Sequence, residues 1–440
     1  MPTSSLTISS RSVPVLGEFD VIVIGSGSAG VCAALSAARA GMRTLVIEAH
    51  NTVGGTAASG LPLLTTNDYK GRQLSFGILQ EIMDELRAFS AFDGDLAKEF
   101  YFCYDVDKYR LVVTRLLQKA GVVIRTHTRL VDIAKDGDRI THAIVHQKEG
   151  FAAFGARAFV DCSGDADLAH LAGEPMLPNI CDGKPQPPTL LFFVGEVDST
   201  KVKWDEITAL WDKMRLYAKW INPRSGPALS SPFAYPGKPG FHGFNVTRSL
   251  NIDATKTDDL VRMEIEQREQ VDEFFYRFLK PHVPAFKDSY MSGTAFAAGV
   301  RETRRIQGDF VLTADSLRNR EEFSDAVAWS AYPIDRHSPV GGSTDLRTEE
   351  VQLAGHYSVP FRVMVPRRTA NLLVSGRCVS ADEISFSAIR VMGTTMPLGS
   401  AAGLGAVQIA AKGVPAKQVD VALIRSQLRA QGATVEPHAT

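Results

Sequence analysis

The pattern of apolar and polar positions is clearest near the start of the chain. The run 21–24 is apolar and rich in β-branched residues, which favours a strand buried on both faces of a parallel sheet. An Ala-rich segment with high helix propensity follows it and ends at Gly41. A second predicted strand, 43–47, ends at Glu48. The order strand, helix, strand predicts a β-α-β unit.

Apolar periodicity continues along the chain and predicts alternating helices and strands. Before the Pro-rich segment 174–188 it indicates helices over 76–92, 105–121 and 165–172, strands over 122–127 and 158–165, and a hairpin over 130–147. After that segment, strands are expected at 189–194 and 243–248. A long helix is expected over 257–279, ended by Pro281. Its predicted core positions are Leu260, Ile265, Val271, Phe274, Phe275 and Phe278.

The last third of the chain repeats the strand-then-helix pattern of the first. A buried type of strand is expected over 371–375. A helix of small residues follows over 394–411, with Pro397 in its first turn, and a final helix covers 419–428. These elements are of the kind that would extend a parallel sheet begun at the N-terminus.

Composition narrows the class of protein. A chain of 440 residues exceeds what one hydrophobic core usually supports, so two domains are expected, with the Pro-rich segment at their first boundary. The formal charge of −1 gives no overall field that would attract nucleic acid. The five cysteines are scattered without a C-x-x-C pair, which is typical of reduced thiols in a cytoplasmic protein and predicts no metal site.

The distribution of apolar residues also bears on whether the chain crosses a membrane. No apolar run approaches the roughly 20 residues that cross a bilayer. The polar, Ser-rich segment 1–18 lacks the apolar centre of a secretory signal. We therefore expect no integral membrane segment.

Three glycines between the first strand and the first helix carry the earliest functional signal. They stand in the spacing G-x-G-x-x-G, as Gly25, Gly27 and Gly30. In a dinucleotide site the first permits a tight turn, the second lets a pyrophosphate approach the backbone, and the third lets helix and strand pack closely. Glu48 stands where an acid would accept hydrogen bonds from a ribose. The unit predicts a bound dinucleotide, with FAD and NAD both open, and the acid disfavours a 2′-phosphate.

The chain resembles a known family over 19–432. The resemblance rests on the segments 21–30, 54–56, 161–165, 299–306, 371–377 and 389–403, together with Glu48. They resemble the FAD-dependent oxidoreductase family, within the glutathione-reductase-like group that includes the succinate dehydrogenase and fumarate reductase flavoproteins. The resemblance implies FAD rather than NAD. It also implies an α/β fold: a Rossmann-like FAD-binding domain, with a parallel sheet and a small antiparallel meander, formed by 1–173 and 366–440. An inserted α+β substrate domain would cover 174–365.

The resemblance also implies where FAD binds. The candidate cofactor-binding residues are Gly25, Gly27, Ser28, Ala29, Gly30, Glu48, Ala49, Gly55, Thr56, Leu130, Ser163, Gly164, Gly376, Arg377, Arg390, Leu398, Gly399 and Ser400. The succinate and fumarate enzymes carry a histidine, covalently bound to flavin, several residues ahead of their Gly-Gly pair. Here His50 comes only two residues after Glu48, beside the expected adenosine half of the cofactor. We therefore predict a non-covalent flavin.

The candidate catalytic residues lie in the expected inserted domain. His242, His337 and Tyr332 are candidates for proton transfer. Arg301 and Arg336 are candidates for holding an anion. The predicted activity is a soluble oxidoreductase that moves a hydride between flavin N5 and a small organic substrate, with carboxylic acids among the candidates.

Three alternatives to this activity stay open. They are a flavin monooxygenase, disfavoured by the lack of a second G-x-G-x-x-G between strand and helix, a flavoenzyme without net redox turnover, and a non-catalytic FAD-binding protein. The sequence also leaves open the electron donor or acceptor, and the choice between a monomer and a homo-oligomer.

Overall fold

The computed structural model describes residues 12–433, except 65, 69, 97, 100, 179–183, 215–232, 340–343 and 348–354. Cys181, most of the segment 1–18 and part of the Pro-rich segment lie outside the described residues.

Nineteen strands are described in this part of the chain. They are β1 (Val15–Ile24), β2 (Thr44–Ile47), β3 (Leu63–Leu64), β4 (Tyr101–Phe102), β5 (Val123–Arg125), β6 (Arg129–Asp136), β7 (Arg139–Gln147), β8 (Gly150–Asp161), β9 (Met176–Leu177), β10 (Phe192–Gly195), β11 (Phe233–Ala234), β12 (His242–Phe244), β13 (Tyr290–Thr294), β14 (Arg305–Ile306), β15 (Ala326–Ser330), β16 (Ile334–His337), β17 (Thr344–Arg347), β18 (Tyr357–Pro360) and β19 (Leu372–Val374).

The α-helices of the described residues are α1 (Ser28–Arg39), α2 (Gly55–Ala58), α3 (Ile78–Ala88), α4 (Val106–Lys119), α5 (Asp167–Leu171), α6 (Trp204–Met214), α7 (Thr257–Asp272), α8 (Lys280–His282), α9 (Ala314–Arg318), α10 (Glu383–Ile389), α11 (Met392–Lys412) and α12 (Val421–Ala430). A π-helical segment, Glu273–Leu279, joins α7 to α8. Short 3-10 turns cover Ser199–Lys201, Pro284–Phe286, Phe361–Met364 and Ala416–Gln418.

The main sheet is parallel at its centre. Its strand order is β5-β2-β1-β8, and β19 pairs in parallel with the far side of β8. The register aligns Ile24 with Ile47 and with Asp161, and Asp161 with Val374. Four strands therefore end at the same level, and the loops that follow them meet at one edge of the sheet. In open α/β sheets this carboxyl edge is where ligands bind.

An antiparallel meander extends the same sheet. β6, β7 and β8 pair in sequence, and β8 is long enough to bind β7 with its first half and β19 with its second. The β6–β7 turn contains Gly137 with φ of 57°, a left-handed conformation that glycine adopts without strain. The fold class predicted from the sequence, an α/β parallel sheet with an added meander, is confirmed.

Helices α1 and α11 pack against each other almost backbone to backbone. A Cβ on Gly399 would lie 2.2 Å from the carbonyl oxygen of Ala29, and one on Gly403 would lie 2.3 Å from that of Ala33. Because these two positions are four residues apart, they lie on the same face of α11, and both need glycine there. The C-terminal helix is thereby locked against the helix that starts at the glycine-rich turn.

A second sheet lies in the middle of the chain, in the order β11-β12-β10-β13. Its core is aromatic: the rings of Phe192 and Phe244 stack with centroids 4.9 Å apart, and Phe274 packs edge-on against both. β12 lies between β10 and β11, and His242 is its first residue.

Two details of the long helix differ from the sequence prediction. Pro281 does not end it, since α8 continues to His282. Ile265 is 59% exposed rather than part of the core, because the buried positions Met263, Gln267 and Val271 repeat every four residues on the opposite face.

The position of Pro397 in α11 also differs from the prediction. The helix begins at Met392, so Pro397 lies in its second turn, where a proline removes the hydrogen bond to the carbonyl four residues earlier. That carbonyl belongs to Gly393, and it accepts a hydrogen bond of 2.6 Å from the hydroxyl of Ser75. A side chain from a distant loop therefore replaces the missing backbone donor.

Candidate cofactor and substrate site

The glycine-rich turn between β1 and α1 has the shape of a dinucleotide cradle. Gly25 has φ of 86°, and a Cβ there would lie 2.4 Å from the carbonyl oxygen of Cys162. A Cβ on Gly30 would lie 2.0 Å from the carbonyl oxygen of Gly25. A Cβ on Gly27 would meet no protein atom within 4 Å. The first and third glycines thus serve the fold, whereas Gly27 borders open space at the N-terminus of α1, where a pyrophosphate fits.

Glu48 closes one side of this turn. Its Oε2 accepts hydrogen bonds from the backbone N–H of Ser26 at 2.9 Å and from the Ser26 hydroxyl at 2.6 Å. Its Oε1 accepts from the backbone N–H of His50 at 2.9 Å. Because each carboxylate oxygen has two lone pairs, Oε1 can accept a further hydrogen bond. Glu48 is therefore a fixed, buried acceptor beside the cradle, in the position for a ribose hydroxyl.

Residues from distant parts of the chain meet around this turn. A Cβ on Gly55, whose φ is 55°, would lie 2.6 Å from the Cα of Gly27. A Cβ on Gly164 would lie 2.6 Å from Nη2 of Arg377, and one on Gly376 would lie 3.4 Å from the Cβ of Ala29. These close approaches bring four of the expected cofactor segments together.

The remaining expected cofactor residues occupy varied positions. Ser28, Leu398 and Ser400 are buried, Thr56 and Ser163 are half-buried, Ala49 is exposed, and Leu130 is half-buried on β6. Two residues before Leu130, the backbone N–H of Thr128 donates to the carbonyl oxygen of Glu48 at 2.9 Å. Gly399 contacts Ala29. Arg390 instead contacts Asp335, in a second group of polar residues.

The basic motif 301–306 docks onto the loop after β8. Thr303 donates through its hydroxyl to Oδ1 of Asp165 at 2.7 Å, and Arg304 pairs with Asp167 at 2.5 Å. Arg377 also pairs with Asp165, at 3.0 Å. The motif therefore joins the middle of the chain to the cradle's own loops.

A group of buried polar side chains lies beyond this junction. We name it the Asp335 cluster, and it consists of Arg248, Arg301, Tyr332, Asp335, His337 and Arg390. Tyr332 donates through its hydroxyl to Oδ2 of Asp335 at 2.9 Å, and Nε2 of His337 lies 3.3 Å from Oδ1. Arg390 donates to the backbone oxygen of Asp335 at 2.9 Å and lies 3.5 Å from its carboxylate. One carboxylate is thus the centre of the cluster.

Cationic groups outnumber anionic groups in the cluster. Burial by itself would raise the pKa of Asp335, but the His337 N–H and the guanidinium groups of Arg390 and Arg301 outweigh it and hold that pKa below its ordinary value. Burial lowers the pKa of His337 well below its ordinary value, and Arg301 lowers it further. The charge count agrees, with three guanidinium groups against one carboxylate.

Tyr332 is the remaining ionisable group of the cluster. Burial raises the pKa of its hydroxyl well above the ordinary value, and the charge of Asp335 acts in the same direction. Tyr332 therefore holds its proton at neutral pH and can donate it.

Two of the expected catalytic residues lie outside the Asp335 cluster. Arg336 pairs with Glu383 of α10 at 2.8 Å, because alternation along β16 turns it away from Asp335 and His337. His242 has a Ser199 hydroxyl 3.0 Å from its Nε2, and burial lowers its pKa. Arg301, Tyr332 and His337 are brought together.

Three residues of this region were missed as site residues in the sequence. Asp335 is the centre of the cluster, Arg248 contacts His337, and the side chain of Gln186 accepts a hydrogen bond of 3.1 Å from the His337 backbone N–H. The two-residue spacing of Asp335 and His337 could have indicated their contact, since residues i and i+2 of a strand lie on the same face. Arg248 and Gln186 gave no signal beyond their positions at the ends of a strand and a Pro-rich segment.

Comparison with known proteins agrees with the cradle geometry. The family described as FAD dependent oxidoreductase matches residues 20–428 of this chain. The chain belongs to the FAD-dependent oxidoreductase family. FAD is accordingly its cofactor, and the protein is an oxidoreductase. The cradle fits FAD, because Gly27 and Glu48 present the open backbone and the acceptor that an ADP half requires.

Individual relatives of this oxidoreductase are distant. All-trans-retinol 13,14-reductase of Macaca fascicularis is 30% identical over 146 residues, which cover 29% of this chain and 24% of the relative. Digeranylgeranylglycerophospholipid reductase of Picrophilus torridus is 26% identical over 172 residues, which cover 36% of this chain and 42% of the relative. The matches thus span less than half of each relative.

Two solved structures align with most of the chain at low sequence identity. A geranylgeranyl bacteriochlorophyll reductase-like protein from Thermoplasma acidophilum aligns with a TM-score of 0.47 at 13% identity, covering 94% of this chain and 84% of that one. The p-nitrophenol 4-monooxygenase of Pseudomonas putida aligns with a TM-score of 0.42 at 13% identity, covering 91% and 82%. Neither similarity bears on the reaction.

One further property concerns membranes. Among the helices that the structure describes, none combines the length and the apolar content that crossing a bilayer requires.

Proposed function

We propose that this oxidoreductase moves a hydride between FAD and a carbon atom of a small organic acid. We further propose that the Asp335 cluster binds the acid's carboxylate. The observation that carries the proposal is the excess of cationic groups in this cluster, where the guanidinium groups of Arg248, Arg301 and Arg390 lie around one carboxylate. A site with this charge favours an anion and disfavours a cation.

Each group of the cluster has a proposed role. Arg248, Arg301 and Arg390 attract the carboxylate, and a guanidinium group matches a carboxylate with two parallel hydrogen bonds. Asp335 stays ionised and orients Tyr332 and His337 through the contacts at 2.9 Å and 3.3 Å. Bound FAD supplies the two-electron chemistry.

Tyr332 is the proposed proton carrier. In the reduction of an unsaturated acid, hydride adds to one carbon of the C=C bond and the hydroxyl of Tyr332 protonates the other carbon. In the oxidation of a saturated acid, the phenolate of Tyr332 takes that proton back. The charges of Arg390 and Arg301 favour the phenolate left behind, since both lower the pKa of Tyr332 against the effects of burial and Asp335. His337 is the less suitable carrier because Arg248 contacts its Nδ1 at 3.1 Å.

The domain division is part of this proposal. An FAD-binding unit of 1–173 and 366–440 with an inserted unit of 174–365 would place the cluster between them. Glu174, the first residue of the proposed insertion, supports it: its Oε1 accepts hydrogen bonds from the Thr369 backbone N–H at 2.7 Å and hydroxyl at 2.6 Å. Hydrogen bonds therefore join the two places where the chain crosses between the proposed units, near residues 174 and 366.

The test is anaerobic bleaching of the flavin absorbance of the FAD-loaded protein by a panel of saturated organic acids and their methyl esters. Its reverse is re-oxidation of the photoreduced flavin by unsaturated acids. We expect at least one acid to react and its ester to react at least tenfold more slowly. Arg301→Gln should raise the KM for the acid, and Tyr332→Phe should lower kcat.

Arg268→Gln is the matched control, because Arg268 is an exposed arginine of the same part of the chain that pairs with Glu264. It should leave both constants unchanged. Equal reaction of acids and esters would overturn the proposal. So would a protein that no acid bleaches but that NAD(P)H reduces rapidly, since that result is expected of a monooxygenase.

A further inference from the structure

We infer that the substrate is an amphiphilic acid, a carboxylate with an apolar chain, whose apolar part lies along a two-stranded ribbon next to the Asp335 cluster. The ribbon consists of residues 187–193 and 293–301. The inference deepens the proposed function and rests on it.

The ribbon is continuous with the cluster through hydrogen bonds. Phe193 pairs with Gly293, and the backbone N–H of Ala295 donates to the carbonyl oxygen of Leu191 at 2.8 Å. Thr189 and Gly299 exchange two backbone hydrogen bonds, of 3.1 Å and 2.7 Å. At the cluster end, Arg301 donates to the carbonyl oxygen of Pro187 at 2.5 Å. Arg301 therefore belongs to both the ribbon and the cluster.

The ribbon presents partly exposed apolar surface. The five consecutive residues 296–300 are Phe, Ala, Ala, Gly and Val, and each is half-buried. Phe193 is also half-buried, while its neighbours Leu190, Leu191 and Ala295 are fully buried beneath. No residue of 296–300 is charged, although the guanidinium group of Arg110 lies 5.6 Å from the centroid of the Phe296 ring, and the next residue is Arg301. The order apolar run, then cation, matches the order of groups in an amphiphilic acid.

Part of the ribbon packs against the segment that follows Glu48. A Cβ on Gly60 would lie 2.7 Å from Cζ of Phe193, and Leu61 packs against the same apolar group. The ring of Phe296 lies 5.4 Å from that of His50, two residues after Glu48. The ribbon thus lies against the stretch 50–61, which contains Gly55 of the cradle. A ligand held by the Asp335 cluster would extend along the ribbon.

The length of the ribbon limits the length of the apolar chain that it can contact. From Thr189 to Phe193 a strand advances by roughly 13 Å. An apolar chain of that length would remain in contact with the ribbon from the cluster end to Phe193. Each added methylene should tighten binding by about two- to fourfold until this length is exceeded, since burying one contributes about 0.8 kcal/mol.

The test measures binding rather than turnover. Straight-chain saturated monocarboxylates from acetate to dodecanoate, all below their micellar concentrations, are titrated calorimetrically into the FAD-loaded protein. We expect Kd to fall with chain length and then level off. Phe193→Ala and Phe296→Ala should each flatten the dependence on length while leaving acetate binding unchanged. Arg301→Gln should weaken every length by the same factor.

Phe151→Ala is the matched control, because Phe151 is a partly exposed phenylalanine on β8 that packs against His146. It should keep the full length dependence. A Kd independent of chain length, with acids still binding, would overturn the inference and leave the proposed function standing. If no acid binds at any length, the proposed function itself falls. If Phe193→Ala and Phe296→Ala change the Kd of FAD instead of the length dependence, the ribbon covers the cofactor and the inference is wrong.

Discussion

Nη2 of Arg248 lies 3.1 Å from Nδ1 of His337. A guanidinium group only donates hydrogen bonds, so Nδ1 accepts this one and carries no proton. The imidazole proton is then on Nε2, which lies 3.3 Å from Oδ1 of Asp335. His337 is therefore a neutral imidazole in one tautomer, between a cation and a carboxylate. Burial is the largest cause of its lowered pKa, and the nearby guanidinium groups act in the same direction.

The neutral state of His337 has a consequence for stability. The pKa is lowered by folding, so the unfolded chain binds a proton near pH 6.5 that the native protein does not. Stability is lost as the pH falls through 6.5, by at most about 1.4 kcal/mol per pH unit for one group. We expect His337→Asn to remove about 1 kcal/mol of the loss between pH 7.5 and 5.5, measured by denaturant unfolding at fixed FAD concentration.

His282→Asn is the control for that comparison, since His282 is exposed in α8. Burial also lowers the pKa of His170, His242 and His356, and their contributions remain in both variants. An equal pH dependence in the wild-type protein and in His337→Asn would show that His337 does not titrate as inferred.

The two glycines on either side of the cradle should respond differently to a methyl group. Gly27 has φ of −65°, which any residue adopts, and its Cβ would enter open space. We expect Gly27→Ala to leave the unfolding free energy of the FAD-free protein unchanged and to weaken FAD binding at least tenfold. Gly30→Ala should destabilise even the FAD-free protein by about 1–3 kcal/mol, because its Cβ would overlap the Gly25 carbonyl.

Fluorescence titration with FAD and thermal unfolding of both variants without FAD separate these effects. A Gly27→Ala protein that binds FAD as tightly as the wild type would show that the pyrophosphate does not approach this turn.

The contribution of the Ser75–Gly393 hydrogen bond to the free energy of unfolding should depend on Pro397. Ser75→Ala leaves the Gly393 carbonyl without its donor, and an unsatisfied buried carbonyl costs about 1–3 kcal/mol. Pro397→Ala restores the backbone N–H that a helix normally directs at this oxygen. We expect Ser75→Ala to cost less in the Pro397→Ala background than alone. Denaturant unfolding of the four proteins gives the coupling energy, and additive effects would contradict the explanation.

The flavin should be released by acid. His50 is exposed and its backbone N–H bonds to Glu48, so it lies at the ribose side of the cradle. We expect trichloroacetic acid precipitation to leave all FAD in the supernatant, with the same flavin content in His50→Ala. Yellow colour retained in the washed pellet would show a covalent bond.

Much of the fold was predictable because local pattern and final structure agree. The apolar run 21–24, the three glycines and the Ala-rich helix each obey rules that act within a few residues, and β1, the turn and α1 formed as predicted. The prediction was wrong at Pro397 and Pro281. Each proline lies inside a helix, at Pro397 because Ser75, over 300 residues away, supplies the missing hydrogen bond.

The sequence by itself determined the cradle, since glycine at three positions and an acid after the next strand suffice to shape a nucleotide turn. Only the tertiary structure decided which polar residues meet. Arg248, Arg301 and Arg390 come from three separate segments, and alternation along one short strand places His337 with Asp335 but turns Arg336 away. The physical reason is range: backbone conformation follows from neighbours in sequence, whereas a buried charge is stabilised only by partners that folding brings within a few ångströms.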